Sequence, residues 1–223
     1  MSATTHVRQH NSMLAAAEKR ALVWIAKRLP RWINSDHLSA LGLAAMAGAG
    51  ASFLLAETDP VAGAVLVVLC LLLNWFGDSL DGTVARVRDQ QRPRYGYYVD
   101  HVIDLTGTAL FFAGLAMSGY MSPMIATLVV AAFFLVSAET YLATHARGVF
   151  KMAFIGVGPT ELRILLAAGA MALIGAPTVD PFGIGHIRLW DLGGVIGAIG
   201  MAATFVVSSM QNVRALYIEE TRR

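Results

Sequence analysis

The sequence is short of charge. Asp, Glu, Lys and Arg make up 14% of its 223 residues, against about 25% in soluble domains. That excludes an ordinary soluble globule and points to an integral membrane protein. It is equally short of cysteine: Cys70 stands alone within an apolar run, so no internal disulfide framework exists. The net charge is only +2, and no nucleic-acid partner is expected. The first long apolar run begins near residue 38, after a polar, basic segment, so a secretory leader is not expected.

What the chain has in quantity is apolar length. Six spanning segments are expected at about 37–56, 61–87, 97–119, 122–146, 159–177 and 190–216, each near the roughly 20 residues that a bilayer core requires. Ser35 or Asp36 is placed to cap the first. Pro60, Pro123 and Pro159 stand where helices open. Residues 178–189, with Pro181, Gly183 and Gly185, read as the longest outside loop. Glycines in the first and last spans (Gly42, Gly48, Gly50; Gly193, Gly194, Gly197, Gly200) read as packing positions.

Ahead of the spans, residues 1–10 are polar and expected to be disordered, and 11–34 form an amphipathic juxtamembrane helix. There Met13, Leu14, Ala17, Ala21, Trp24 and Ile25 share a face opposite Lys19, Arg20 and Lys27, the pattern of a helix lying on an anionic membrane surface. The six-helix domain is expected over 35–217, with a tail at 218–223.

The stretch from Asp78 to Asp104 breaks the apolar pattern. Asp78, Asp81, Gly82 and Ala85 recur at three, four and seven residues and so share one helical face. Gly96, Asp100 and Asp104 are each one turn apart on the next segment. A carboxylate in a spanning helix costs about 2.5–3.5 kcal/mol, so four call for a compensating cation. Hard oxygen donors suit Mg²⁺, Mn²⁺ or Ca²⁺. Four carboxylates exceed what one Mg²⁺ takes from protein, which points to two ions clamping a pyrophosphate. The bare positions beside the acids let a ligand approach the backbone, and Arg86 carries a planar fork suited to phosphate.

These residues resemble the signature of the CDP-alcohol phosphotransferase family, D-x-x-D-G-x-x-A-R, a spacer, then G-x-x-x-D-x-x-x-D. Asp78, Asp81, Gly82, Ala85, Arg86, Gly96, Asp100 and Asp104 fill all its fixed positions; the spacer of nine residues is one longer than usual. The resemblance implies an all-α, six-helix membrane enzyme of phospholipid biosynthesis, commonly a homodimer. It would move a substituted phosphate from a CDP-linked donor to an alcohol, with release of CMP, using Mg²⁺ or Mn²⁺. By position, Asp78, Asp81 and Asp100 would be metal ligands. Asp104 would ligate metal or deprotonate the acceptor hydroxyl. Gly82, Ala85, Arg86 and Gly96 would hold the CDP moiety. At the first span, where the family often shows P-N-x-x-T, this chain has Ser35, Asp36 and Ser39.

His101, in D-H-x-x-D, resembles the choline and ethanolamine phosphotransferase branch and is a second candidate base. Glu139, His145, Arg147, Lys151, Glu161 and Arg163 are polar groups around the ends of the fourth and fifth spans and are candidates for selecting the acceptor. CDP-diacylglycerol with a polar acceptor is the favoured substrate pair, and a CDP-aminoalcohol with a lipid acceptor the alternative. A membrane prenyltransferase would carry its acidic motifs far apart. A divalent-cation carrier would leave Gly82, Ala85 and Arg86 without purpose.

Lys and Arg cluster in the amphipathic segment (Lys19, Arg20, Lys27, Arg28, Arg31), in the second connection (Arg86, Arg88, Arg92, Arg94), in the fourth (Arg147, Lys151) and in the tail (Arg214, Arg222, Arg223). The opposite loops hold Arg188. Both termini and the acids are therefore expected on the cytoplasmic side, in a bacterial inner membrane. A cysteine introduced at Gly183 should react with an impermeant thiol reagent added to intact cells, and one at Gln91 should not; the reverse labelling would overturn the orientation.

Overall fold

The structure, a computed structural model, describes residues 13–148, 159–175, 177–183 and 185–221. It is all-α apart from one two-residue ladder: α1 (Met13–Arg28), α2 (Ser35–Ala56), α3 (Pro60–Val87), α4 (Pro93–Met117), α5 (Pro123–Arg147), α6 (Pro159–Ala172), β1 (Thr178–Val179), β2 (Ile187–Arg188) and α7 (Leu189–Thr221). Residues 1–10, Lys151, Arg222 and Arg223, for which expectations were set out above, lie outside the described residues.

Among the described residues five helices, α2, α3, α4, α5 and α7, are long and apolar enough to cross a membrane. The expected span at 159–177 is represented by α6, whose 14 residues extend about 21 Å, less than the roughly 30 Å of a hydrocarbon core. The expected loop at 178–189 carries an antiparallel ladder pairing Thr178 with Arg188 and Val179 with Ile187.

Helix starts follow local chemistry. Asn34, rather than Ser35 or Asp36, caps α2: its Oδ1 accepts the His37 N–H at 2.9 Å, and His37 Nδ1 accepts the Asn34 N–H at 3.3 Å, a reciprocal box that satisfies two orphan donors. Asp59 caps α3 through the Ala62 N–H at 3.0 Å, ahead of Pro60. Proline opens α4, α5 and α6 as well; for α4 this is Pro93, four residues before the expected start.

The end of α3 falls within the spacer. Asp89 has a φ of 54°. The Gln90 N–H donates to Ala85 O at 2.9 Å and the Asp89 N–H to Arg86 O at 3.3 Å, the 6→1 and 5→2 pair of a Schellman turn. Aspartate tolerates this left-handed conformation better than most residues. The helix thus closes on itself before the chain turns into α4.

α2 is the central helix, packed between α3 and α4; α3 also meets α1 and α6, and α4 meets α5, which carries α7. Close approach depends on absent side chains. A Cβ on Gly114 would lie 2.1 Å from Gly50 O, and one on Gly77 would lie 2.5 Å from Leu38 O. Of the glycines in α7 read as packing positions, Gly194 meets Met121 and Ile125, whereas Gly193, Gly197 and Gly200 face open space. The main core clusters around Phe53, Phe111, Leu115, Met121 and Trp190, with the Phe53 ring edge-on to Phe111 at 5.2 Å and to Trp190 at 5.4 Å. Asp191 Oδ1 accepts the Ser122 N–H at 2.6 Å, joining the starts of α5 and α7.

A smaller cluster holds α1. Leu22 and Ala26 are buried with Leu38, Leu80 and Val84, and Ile25 and Leu29 pack beside them. The stripe that meets the protein is therefore centred on Leu22 and Ala26, while Ala21 and Trp24 lie exposed. Arg88 seals the junction: its guanidinium donates to the carbonyls of Ile33 at 2.5 Å, Leu29 at 2.9 Å and Pro30 at 3.1 Å.

The Gly50–Gly114 crossing gives a direct test. Gly114→Ala should lower stability by about 1–3 kcal/mol, the usual cost of forcing extra volume into a packed site, read as a lower thermal unfolding midpoint in detergent. An unchanged midpoint would mean that α2 and α4 do not approach so closely.

Candidate active site

The C-terminal part of α3 and the N-terminal half of α4 bring the four aspartates around one cleft. It is lined by Asp78, Asp81 and Asn74 of α3, Asp100, Ile103 and Asp104 of α4, and Ser39 and Gly42 of α2. Carboxylate oxygens of Asp78, Asp100 and Asp104 all lie within 4.8 Å of one another, and the three residues are half-buried. At an effective dielectric of about 20, each ionised pair at that range repels by roughly 3–4 kcal/mol. Three hard, anionic donors converging at this spacing are chemically suited to a divalent cation.

Asp81 stands slightly apart. Its Oδ2 accepts from Ser39 Oγ at 2.6 Å and its Oδ1 accepts the Gly82 N–H. The departure from P-N-x-x-T in α2 therefore still delivers a hydroxyl to the acids. Ser35 and Asp36 line a neighbouring cleft of about 400 Å³ with Asn34, Val84, Ala85, Gln90, Gln91 and Arg92. Arg92 Nη2 bonds Asp36 Oδ1 across it at 2.5 Å.

Of the other signature positions, Ala85 faces this second cleft. Arg86 is exposed, lies against Gly82, where a Cβ would come within 3.2 Å of its Nη1, and donates from Nη2 to Thr83 Oγ1 at 3.0 Å. Gly96 is exposed, with open space where a Cβ would be.

His101 is buried on the α5 side of α4. Its ring packs between Tyr97, at 4.1 Å between centroids, and Tyr141, at 4.7 Å, with Nδ1 3.7 Å from Asp100 Oδ2. It does not line the aspartate cleft.

The six candidate acceptor residues separate. Arg163 of α6 reaches the cleft: Nη2 donates to Asp78 Oδ2 at 2.5 Å and Nε to Asn74 Oδ1 at 2.9 Å. Glu139 turns to α7, where it accepts from Ser208 Oγ at 2.8 Å and Asn212 Nδ2 at 2.5 Å. Arg147 joins the same group through Asn212 Oδ1. His145 and Glu161 are exposed.

Sequence reasoning passed over Asn74, Tyr97, Tyr141, Ser208 and Asn212. Asn74 left a signal: it is a polar residue in an apolar run, one turn before Asp78 on the same face. Tyr141 and Asn212 left none, because their partners are fixed by helix crossings.

Compared with known proteins, the chain matches the family model described as CDP-alcohol phosphatidyltransferase over residues 32–207. No curated protein matches it.

The Glu139 group is separable from the cleft by mutation. Glu139→Leu strips Ser208 and Asn212 of an acceptor in a low-dielectric setting and should cost about 1–3 kcal/mol. Asn212→Leu should act in the same direction, and the double variant should lose less than the sum. Thermal unfolding in detergent measures all three; strict additivity would mean that the two residues do not act through one another.

Proposed function

The chain belongs to the CDP-alcohol phosphatidyltransferase family, and on that premise we propose that it transfers a phosphatidyl group from CDP-diacylglycerol to the hydroxyl of a polar acceptor, releasing CMP. Membership carries the broad statement: a membrane-embedded transferase of phospholipid synthesis that uses a CDP-alcohol and an alcohol. The observation that supports metal-assisted transfer at this site, with either donor class, is the convergence of Asp78, Asp100 and Asp104 in a signature whose eight fixed positions are all filled.

In this reading Asp78, Asp81, Asp100 and Asp104 hold Mg²⁺ or Mn²⁺, two ions in the full complement. Divalent ions there supply charge neutralisation for the pyrophosphate and for the departing CMP. Asp81 keeps lone pairs for this while bonded to Ser39, since a carboxylate has about four acceptor sites. The cytidine occupies the second cleft, against Ala85 and the start of α2, and Gly82 lets the pyrophosphate approach α3. Arg86, whose fork now lies along its own helix, swings to a phosphate oxygen. Gly96 leaves room beside Asp100.

The acceptor oxygen bonds to the phosphorus that bears the diacylglycerol. The bond from that phosphorus to the CMP oxygen breaks, and CMP leaves with the electron pair. Asp104 takes the hydroxyl proton. His101, stacked between two tyrosines beside Asp100, supports that carboxylate rather than acting as the base. Among the described acceptor-side candidates Arg163 contacts the acids, while Glu161 and His145 lie exposed and open to the acceptor. We take 35–217 as the catalytic domain, with α6 as the fifth of its six helices, α1 on the cytoplasmic membrane surface, and a homodimer in a bacterial inner membrane.

The D-H-x-x-D sequence favours a second reading, a CDP-aminoalcohol donor with a lipid acceptor. A divalent-cation carrier is the reading of another class; an arginine on Asp78 opposes it, since a fixed cation obstructs a cation path. Mass-spectrometric detection of CMP, with purified protein, either donor class and a panel of acceptors, separates all three.

Expected outcomes are specific. CMP release should cease in excess EDTA and return with Mg²⁺ or Mn²⁺. Asp78→Asn and Asp81→Asn should be inactive yet folded. Asp104→Asn should abolish transfer while retaining CDP-alcohol binding, and His101→Ala should cost less than about tenfold, since a positioned base contributes about 10²–10⁴. Full activity in EDTA would sink the metal assignment. An inactive His101→Ala beside a merely slow Asp104→Asn would move the base to His101 and favour the aminoalcohol donor.

A further inference from the structure

We propose that Arg163 is an exchangeable internal counter-ion of the aspartate cleft: it holds Asp78 while no divalent cation is bound, yields that carboxylate when one binds, and so sets the affinity of the site for the cation. The proposal rests on the metal reading above and adds a role for α6.

Three features carry it. The first is contact. Arg163 Nη2 lies 2.5 Å from Asp78 Oδ2, and Asp78 is one of the three carboxylates whose oxygens converge within 4.8 Å. The guanidinium therefore engages a donor that a bound cation also needs. The second is burial. The Arg163 side chain is 17% exposed and that of Asp78 31%, so the pair is not one of the solvent-screened surface contacts worth little. A positive charge in this position competes with a divalent ion by occupying an oxygen and by direct repulsion.

The third is a second anchor that survives the exchange. Arg163 Nε donates to Asn74 Oδ1 at 2.9 Å, and Asn74, itself buried, donates through Nδ2 to Gly42 O at 3.1 Å. Asn74 is neutral and remains in place when Asp78 turns to a cation. The guanidinium then stays at the cleft wall, held through Nε, with its Nη groups released toward an anionic oxygen of the substrate. Arginine suits this because its five donors are spread over a rigid fork and can serve two partners at once. A lysine ammonium keeps the charge but lacks the fork.

Binding of Mn²⁺ to the purified full-length protein, followed by electron paramagnetic resonance without nucleotide, tests this independently of turnover. Arg163→Gln should bind Mn²⁺ roughly tenfold more tightly than the wild type, because a competing charge is gone. Arg163→Lys should stay within about twofold of the wild type. Asn74→Ser, which keeps a donor for Gly42 O but loosens the guanidinium, should tighten binding about two- to threefold. Unchanged or weaker binding in Arg163→Gln would overturn the proposal and leave the metal site standing. If that variant does not fold, Asn74→Ser decides, and absence of tightening there overturns it. Failure of both wild type and variants to bind Mn²⁺ would remove the metal reading, and the counter-ion role with it.

Discussion

Mutual repulsion of carboxylates in a half-buried cleft is the constraint on which the rest of this structure depends. Asp78, Asp100 and Asp104 bring their oxygens within 4.8 Å of one another in helices long and apolar enough to cross a membrane. No packing term favours that placement; each acid would be better solvated apart. The surroundings are arranged to tolerate it. Ser39 donates to Asp81 and Arg163 to Asp78, yet one guanidinium leaves the cluster short of neutrality. A site whose own groups do not balance its charge is chemically suited to a cation from outside.

Holding such a cluster together requires rigid backbone, which the glycines and the chain turns supply. α2 approaches α4 at Gly50 and Gly114, and α3 at Gly77, to distances that a side chain would forbid. The Schellman turn at Asp89 ends α3 within a residue or two of Arg88. Arg88 in turn ties the α1–α2 junction to the helix that carries Asp78 and Asp81. The start of α2, with Ser35, Asp36 and Ser39, is thereby fixed against both clefts. The small buried cluster of Leu22, Ala26, Leu38, Leu80 and Val84 does the same work by apolar contact.

Much of this was legible in the residues because it is periodic. The i, i+3, i+4 and i+7 spacing of Asp78, Asp81, Gly82 and Ala85, and the one-turn steps from Gly96 to Asp104, put the acids on facing stripes whatever the tilt of the helices. Proline marked three helix starts, at Pro60, Pro123 and Pro159, for an equally local reason: its fixed φ and missing N–H fit the first turn. What stayed hidden depends on tertiary geometry. Asn34 rather than Ser35 caps α2 because His37 can reciprocate. Glu139 and Tyr141 are two residues apart, about 200° round α5, so one faces α7 while the other stacks on His101 near α4. Hydropathy alone does not say which of them turns toward α4. The extent of α6 was hidden too, since an apolar run from 159 to 177 does not reveal that its helix stops at Ala172.

Polar residues in apolar helices fall here into two kinds, and the distinction is energetic. Glu139, Ser208 and Asn212 form a group in which the carboxylate accepts from both α7 residues, so its bonds are spent on holding α5 to α7. Around Asp78 the bonds are not spent in that way. Asn74 bonds both Gly42 O and Arg163 and keeps its position whatever occupies the cleft, but Asp78 is shared between a guanidinium and two like-charged neighbours. A residue in the first condition resists change, because any rearrangement strands a buried donor at about 1–3 kcal/mol. A residue in the second gains from the arrival of positive charge. Residue type is alike in the two groups, a carboxylate with an amide in each; the surplus of negative charge distinguishes the one that can exchange partners from the one that cannot.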